Sequence, residues 1–93
     1  MPIRPQSINQ NDKTMNNKCY RADYDVIKDG KNVDQRDEYF WCETDEEAVN
    51  IAKEDGSRGI NYADIGHCEL SLVQVVEVDD SQECFPEIRT IWW

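Results

Sequence analysis

Asp29-Gly30 constrains this chain more than any other pair of residues. Just before it, Tyr20, Ala22, Tyr24 and Val26 alternate with Arg21, Asp23 and Asp25, the two-residue period of a strand with one face against a core. Asp-Gly suits a two-residue hairpin turn, in which both central residues take positive φ. Residues 18–41 are therefore expected to form a β-hairpin. A regular turn places Asp23 opposite Arg36, Arg21 opposite Glu38, Val26 opposite Val33 and Asp25 opposite Asp34. Two opposite-charge pairs and one apolar pair support that register. Its defect is Asp37, which falls on the apolar face opposite Ala22. A bulge between Gln35 and Glu38 repairs it and decides whether Tyr39 and Trp41, or Phe40 and Cys42, point inward.

The chain continues with a helix signal. Thr44 is a capping residue, Glu47 completes a capping box, and Asp45, Glu46 and Glu47 suit the positive end of a helix. Ala48, Ile51, Ala52 and Asp55 share a face, with Val49 at its margin, and Gly56 is the expected stop. Residues 57–66 read as a loop whose Ile60, Tyr62 and Ile65 cover a core edge. Residues 69–78 (ELSLVQVVEV) form the most apolar strand, with Leu70, Leu72, Val76 and Val78 on one face and Val73 and Val75 on the other. A turn at 79–83 leads to a final strand over 85–93, with Pro86 near its start, where a missing N–H is tolerated. The expected fold is α+β: a β-β-α-β-β order giving a four-stranded, mostly antiparallel sheet with one helix packed on one face. One helix cannot cover four strands, so part of the sheet is left for the terminal tryptophans, a loop or a partner.

Charge divides the chain. Residues 1–18 hold Arg4, Lys13 and Lys18 against Asp12, whereas the remainder holds 7 basic and 19 acidic side chains, a net of −12. The first segment is rich in Asn, Gln and Pro without apolar periodicity, so 1–17 is expected to be a disordered arm before a single domain at 18–93. Met15 is an alternative start. No apolar run approaches a membrane span and no signal-peptide stretch begins the chain, so a cytoplasmic location is expected.

The residues for familiar site chemistry are not arranged for it. Cys19, Cys42, Cys68 and Cys84 contain no Cys-x-x-Cys pair, so reduced thiols are expected, with neither disulfide nor metal. His67 adjoins Cys68, but neighbours on a strand point to opposite faces and cannot form a nucleophile pair. Asp23-x-Asp25 opens like a calcium loop, yet Lys28 stands where that loop requires glycine. Gly56 and Gly59 lack the Gly-Lys-Ser/Thr ending of a phosphate loop. A non-enzymatic protein without a cofactor is expected.

A net of −12 repels a nucleic-acid backbone and attracts a basic protein. The expected function is an acidic protein-binding module that mimics nucleic-acid charge and blocks a basic nucleic-acid-binding site on a host protein. Phage and mobile-element inhibitors of the anti-restriction and anti-CRISPR type use this strategy, and the likeness here lies in size, charge and strand-helix organisation. Asp79, Asp80, Glu83 and Glu87 are the first candidates for the contact patch, extended by Asp25 and Asp34 and by Glu46 and Glu47 at the helix start. The alternative is a small homodimeric structural protein, or an immunity or antitoxin-like one, whose acidity confers solubility. Val73, Val75, Ile91 and one of Trp92 and Trp93 would form its seam, since Trp is enriched in interface hot spots.

Overall fold

Asp29 and Gly30 take φ of 54° and 78°, so the expected hairpin turn is present, in the form whose twist matches its strands. The computed structural model describes residues 17–93. The hairpin joins β1 (Lys18–Lys28) to β2 (Lys31–Cys42) and is followed by α1 (Asp45–Arg58), β3 (Ile60–Tyr62), β4 (Gly66–Val78) and β5 (Glu87–Trp92). β1 lies between β2 and β4, all pairings are antiparallel, and β3 and β5 both pair with β4. This is the α+β, β-β-α-β-β framework with one short extra strand, β3, inside the segment read as a loop. The arm expected over 1–17 and the alternative start at Met15 lie outside the described residues, apart from Asn17.

Two bulges beside β1 decide which side chains of β2 and β4 reach the core, and two further shifts lie between β4 and β5. The first is at Val33, nearer the turn than expected, so Val26 faces Asp34, Asp25 faces Gln35, Asp23 faces Asp37 and Arg21 faces Tyr39. The pairs Asp23–Arg36, Arg21–Glu38 and Asp25–Asp34 are therefore corrected. Asp37 leaves the apolar face, while Phe40 packs on the core and Cys42 enters it. The second bulge is at Val73, where β4 gains a residue relative to β1. It puts Leu70, Leu72 and Val75 on the helix side and Val76 and Val78 on the opposite side, correcting the regular alternation expected there. One extra residue exchanges the two faces of everything beyond it, because the side-chain period is two.

Beneath α1, Tyr20, Ala22, Tyr24, Cys42, Ala48, Ala52 and Val75 form the main core, with Phe40, Ile51, Leu70, Leu72, Ile91 and Trp92 packed around them. Ala48 and Ala52 are fully buried, and their small size lets the helix backbone approach the sheet closely enough for the Tyr24 hydroxyl to donate to the Ala52 carbonyl at 2.9 Å. Burial pushes the Tyr24 phenol up to about 12. Gly56 does not stop the helix. A Cβ there would meet the Tyr24 ring at 3.2 Å, so the glycine makes room for packing, and Gly59, at φ 69°, is the cap instead. The Thr44 cap is as expected, its hydroxyl accepting from the Glu47 N–H at 3.1 Å, but the capping box is not closed on Thr44, because the Glu47 carboxylate accepts from the N–H of Glu43, one residue earlier.

Three strands and the helix start are tied together at Asp45. Its carboxylate accepts from the Tyr20 hydroxyl at 2.8 Å and from both terminal nitrogens of Arg89 at 2.8 and 2.9 Å, while Arg89 Nε pairs with Glu77. Arg89 first, and Tyr20 second, hold this carboxyl below its ordinary range. On the sheet face opposite the helix, Cys19, Val76 and Val78 are covered by Phe85 of the loop between β4 and β5.

Candidate functional site

β1 begins at the end of the sheet where β2 and β4 finish, since Lys18 faces Cys42 and Cys19 faces Val78. The segments 43–47 and 79–86 therefore leave the sheet at one pole, two strands apart, about 10 Å by ordinary strand spacing. The first is Glu-Thr-Asp-Glu-Glu and the second Asp-Asp-Ser-Gln-Glu-Cys-Phe-Pro, with no lysine or arginine in either. The register thus joins two acidic stretches that lie more than thirty residues apart in the chain.

Asp45 is neutralised by Arg89, but Glu46 and Glu83 make no ion pair or side-chain hydrogen bond among the described residues. The Glu47 carboxylate is engaged by the Glu43 N–H at the helix start. Asp79 accepts from the Ser81 hydroxyl and N–H and from Gln82, which hold its carboxyl below the ordinary range and shape the loop. Asp80 accepts from the Trp41 indole at 2.8 Å, so the loop folds toward β2. Phe85, at φ 50°, packs edge-on against Tyr39 with ring centres 5.0 Å apart. Tyr39 and Trp41 nevertheless stay nearly half exposed.

A second group of acids lies on the helix-free face, between the pole and the hairpin turn. Asp25 lies there, in a shallow cleft of about 220 Å³ lined with Asp23, Gln35, Asp37, Val73 and Gln74. Arg21 donates to Asp23 through two nitrogens and to Glu87, and Gln74 donates to Asp23 at 2.7 Å. Asp37, opposite Asp23, has no such donor. Partial desolvation, then the Asp23 charge, pushes its carboxyl above the ordinary range.

The candidate acids are thus divided. Asp79, Asp80, Glu83, Glu46 and Glu47 share the pole, whereas Asp25 lies seven residues along β1 from Lys18, nearer the hairpin turn. Glu87 is ion-paired with Arg21, although its side chain stays 56 % exposed. Asp34 lies on the helix side, bound by the Gln35 N–H and the Tyr62 hydroxyl, so it does not extend the patch with Asp25. Glu43 and Asp37 were missed. Glu43 adjoins the helix signal, and the misfit of Asp37 in the regular register was its sign. The proposed seam is also divided: Val75 is fully buried beneath α1 and Ile91 and Trp92 pack on the core, with Lys53 5.5 Å from the Trp92 ring centre. Val73 and Trp93 are exposed, the latter at 82 %.

Among the described residues no disulfide forms; Cys19, Cys42 and Cys68 are buried and Cys84 is exposed. Among the described residues, no group of three His, Cys, Asp or Glu side chains is placed to hold a metal ion, and no helix is long and apolar enough to cross a membrane. His67 lies against Gly59, with Nδ1 3.1 Å from the Asn61 side-chain oxygen. Comparison with protein families, curated proteins and solved structures gives no match to this chain.

Proposed function

We propose that this chain is a non-enzymatic, acidic protein-binding module that covers a basic nucleic-acid-binding site on a partner protein. The observation that carries this reading is the convergence of 43–47 and 79–86, both free of basic residues, at one end of a stiff sheet. Carboxylates held on a rigid frame can occupy Lys and Arg positions that otherwise hold phosphates, and the summed field speeds the encounter. Pairing with Arg89 takes Asp45 out of that field, and Lys18 begins β1 at the same end, but Glu46 and Glu83 stay unpaired among the described residues. The four arginines of the described residues are engaged by Asp23, Glu87, Glu38, Glu54, Asp55, Asp45 and Glu77, and none pairs with Glu46 or Glu83. Exposed Trp41 and Tyr39 beside the pole supply faces on which an arginine can stack.

The test is capture from a cell lysate on the immobilised protein, alongside a Glu46→Lys, Glu83→Lys variant. The expected result is a nucleic-acid-binding protein that is retained at low salt, displaced by added duplex DNA and lost to the variant. It should also elute near 1 M salt, where the Debye length is about 3 Å. Capture indifferent to charge reversal, DNA and salt would overturn the reading.

A further inference from the structure

β2 is a twelve-residue strand that meets β1 on one side and, among the described residues, no strand on the other. Nearly all of it is exposed. The turn at Asp29-Gly30 makes Lys28 and Lys31 a hydrogen-bonded pair, and this status alternates along β1. Beyond the bulge, Asp34, Arg36, Glu38, Phe40 and Cys42 therefore direct their backbone groups to β1, and Gln35, Asp37, Tyr39 and Trp41 direct theirs outward. The Gln35 N–H bears this out, donating to the Asp34 side chain at 2.8 Å. That bond closes the edge near the turn. From Asp37 to Trp41, the outer backbone groups have no strand partner among the described residues.

Asp37 sits at the start of this open stretch. On its inner side it meets Asp23, in a pair without backbone hydrogen bonds, the closer of the two antiparallel spacings. The charged and titratable groups around it are Asp23, Arg21 and Asp25 of β1 and Tyr39 of its own strand. Arg21 is turned to Asp23 and Glu87, so Asp37 has no cationic partner of its own beside the Asp23 carboxylate. On its outer side, no described residue takes the neighbouring position in the sheet. A lysine or arginine on an added strand would stand there, about 5 Å away, and its next same-face neighbour would lie beside Tyr39.

Resting on the proposed function, we infer that the Asp37–Trp41 edge of β2 receives an extended, basic segment of the partner by antiparallel strand addition, with a Lys or Arg opposite Asp37. Backbone pairing supplies part of the affinity and the outward carboxylates choose the sequence. The edge runs directly into the acidic pole through the Trp41–Asp80 contact, so one bound segment engages both.

The probe is a short, end-capped peptide of alternating arginine and threonine, with two variants N-methylated either on the arginines or on the threonines. Both variants keep the charge. With arginine opposite Asp37, the arginine N–H groups face β2, so methylating them should weaken binding at least about tenfold, whereas methylating the threonines should not. The unmodified peptide should also slow hydrogen exchange at Asp37, Tyr39 and Trp41, without changing Arg36, Glu38 or Phe40. Equal binding by both methylated peptides, with loss in the Glu46→Lys, Glu83→Lys variant, would overturn strand addition and leave the acidic-module reading standing. No binding of any peptide at low salt would overturn both. Dimerisation of the protein alone, protecting the same three amides, would assign the edge to a second copy.

Discussion

Asp23 and Asp37 face each other across β1 and β2 on the side of the sheet without the helix, and only Asp23 has donors of its own. The folded carboxyl of Asp37 is raised, so it opposes folding while ionised. Protonation relieves that opposition as pH falls through the raised value, and the benefit is complete below the ordinary carboxyl range. Asp37→Asn should therefore stabilise the protein at neutral pH by a few tenths up to about 1 kcal/mol. Thermal melts from pH 7 to pH 3 should show the difference from the parent shrinking with acidity; an equal or lower melting temperature at pH 7 would refute the repulsion.

Asp45 has the opposite sign. Its folded carboxyl is lowered by Arg89 and Tyr20, so its contribution is present above the ordinary carboxyl range and is lost as pH falls through that range to the lowered folded value. Asp45→Asn should lower the neutral-pH melting temperature and flatten its acid dependence. Tyr20→Phe removes the donor from a fully buried side chain and should cost about 1 kcal/mol in denaturant titration. A pH profile unchanged in Asp45→Asn would refute this assignment.

Thr44→Ala removes the oxygen that accepts the Glu47 N–H and should cost about 1 kcal/mol. Ala52→Leu acts on the other side of the same helix. Overpacking a fully buried alanine against Tyr24 should cost about 1–3 kcal/mol, where an exposed helix position would gain or lose little. Urea unfolding of both variants measures these differences.

Thiol labelling should follow burial. In the native protein, Cys84 should react rapidly, while Cys19, Cys42 and Cys68 wait for opening of the fold. Burial also pushes the Cys42 thiol up to about 11, which lowers its thiolate fraction further. Phe85→Ala should uncover Cys19 and add a second rapidly labelled thiol, without touching Cys42 or Cys68. Mass-spectrometric counting of labels resolves each site.

Several elements were legible because their causes are local. Asp29-Gly30 makes its turn from two residues' backbone preference, and Thr44 caps its helix through a contact three residues away. Gly56 and Gly59 were not distinguishable, since either can end a helix and only the Tyr24 ring explains why the first stays helical. Asp37 announced a bulge in the hairpin without locating it. Val73 gave no comparable sign, as valine is acceptable on either face of a strand.

The acidity, the order of every strand and helix but β3, and the Thr44 cap follow from the sequence alone, because they depend on composition or on neighbours a few residues away. Which acids share a surface was decided by the tertiary structure. Extra residues at Val33 and Val73 reverse strand parity, sending Asp37 out and Val75 in, and β1 pairs with both β2 and β4 to bring 43–47 beside 79–86. Chain separation and a period of two carry no record of such choices; they are made when burial of Tyr20, Tyr24 and Val75 under α1 selects one register among several with similar local energy.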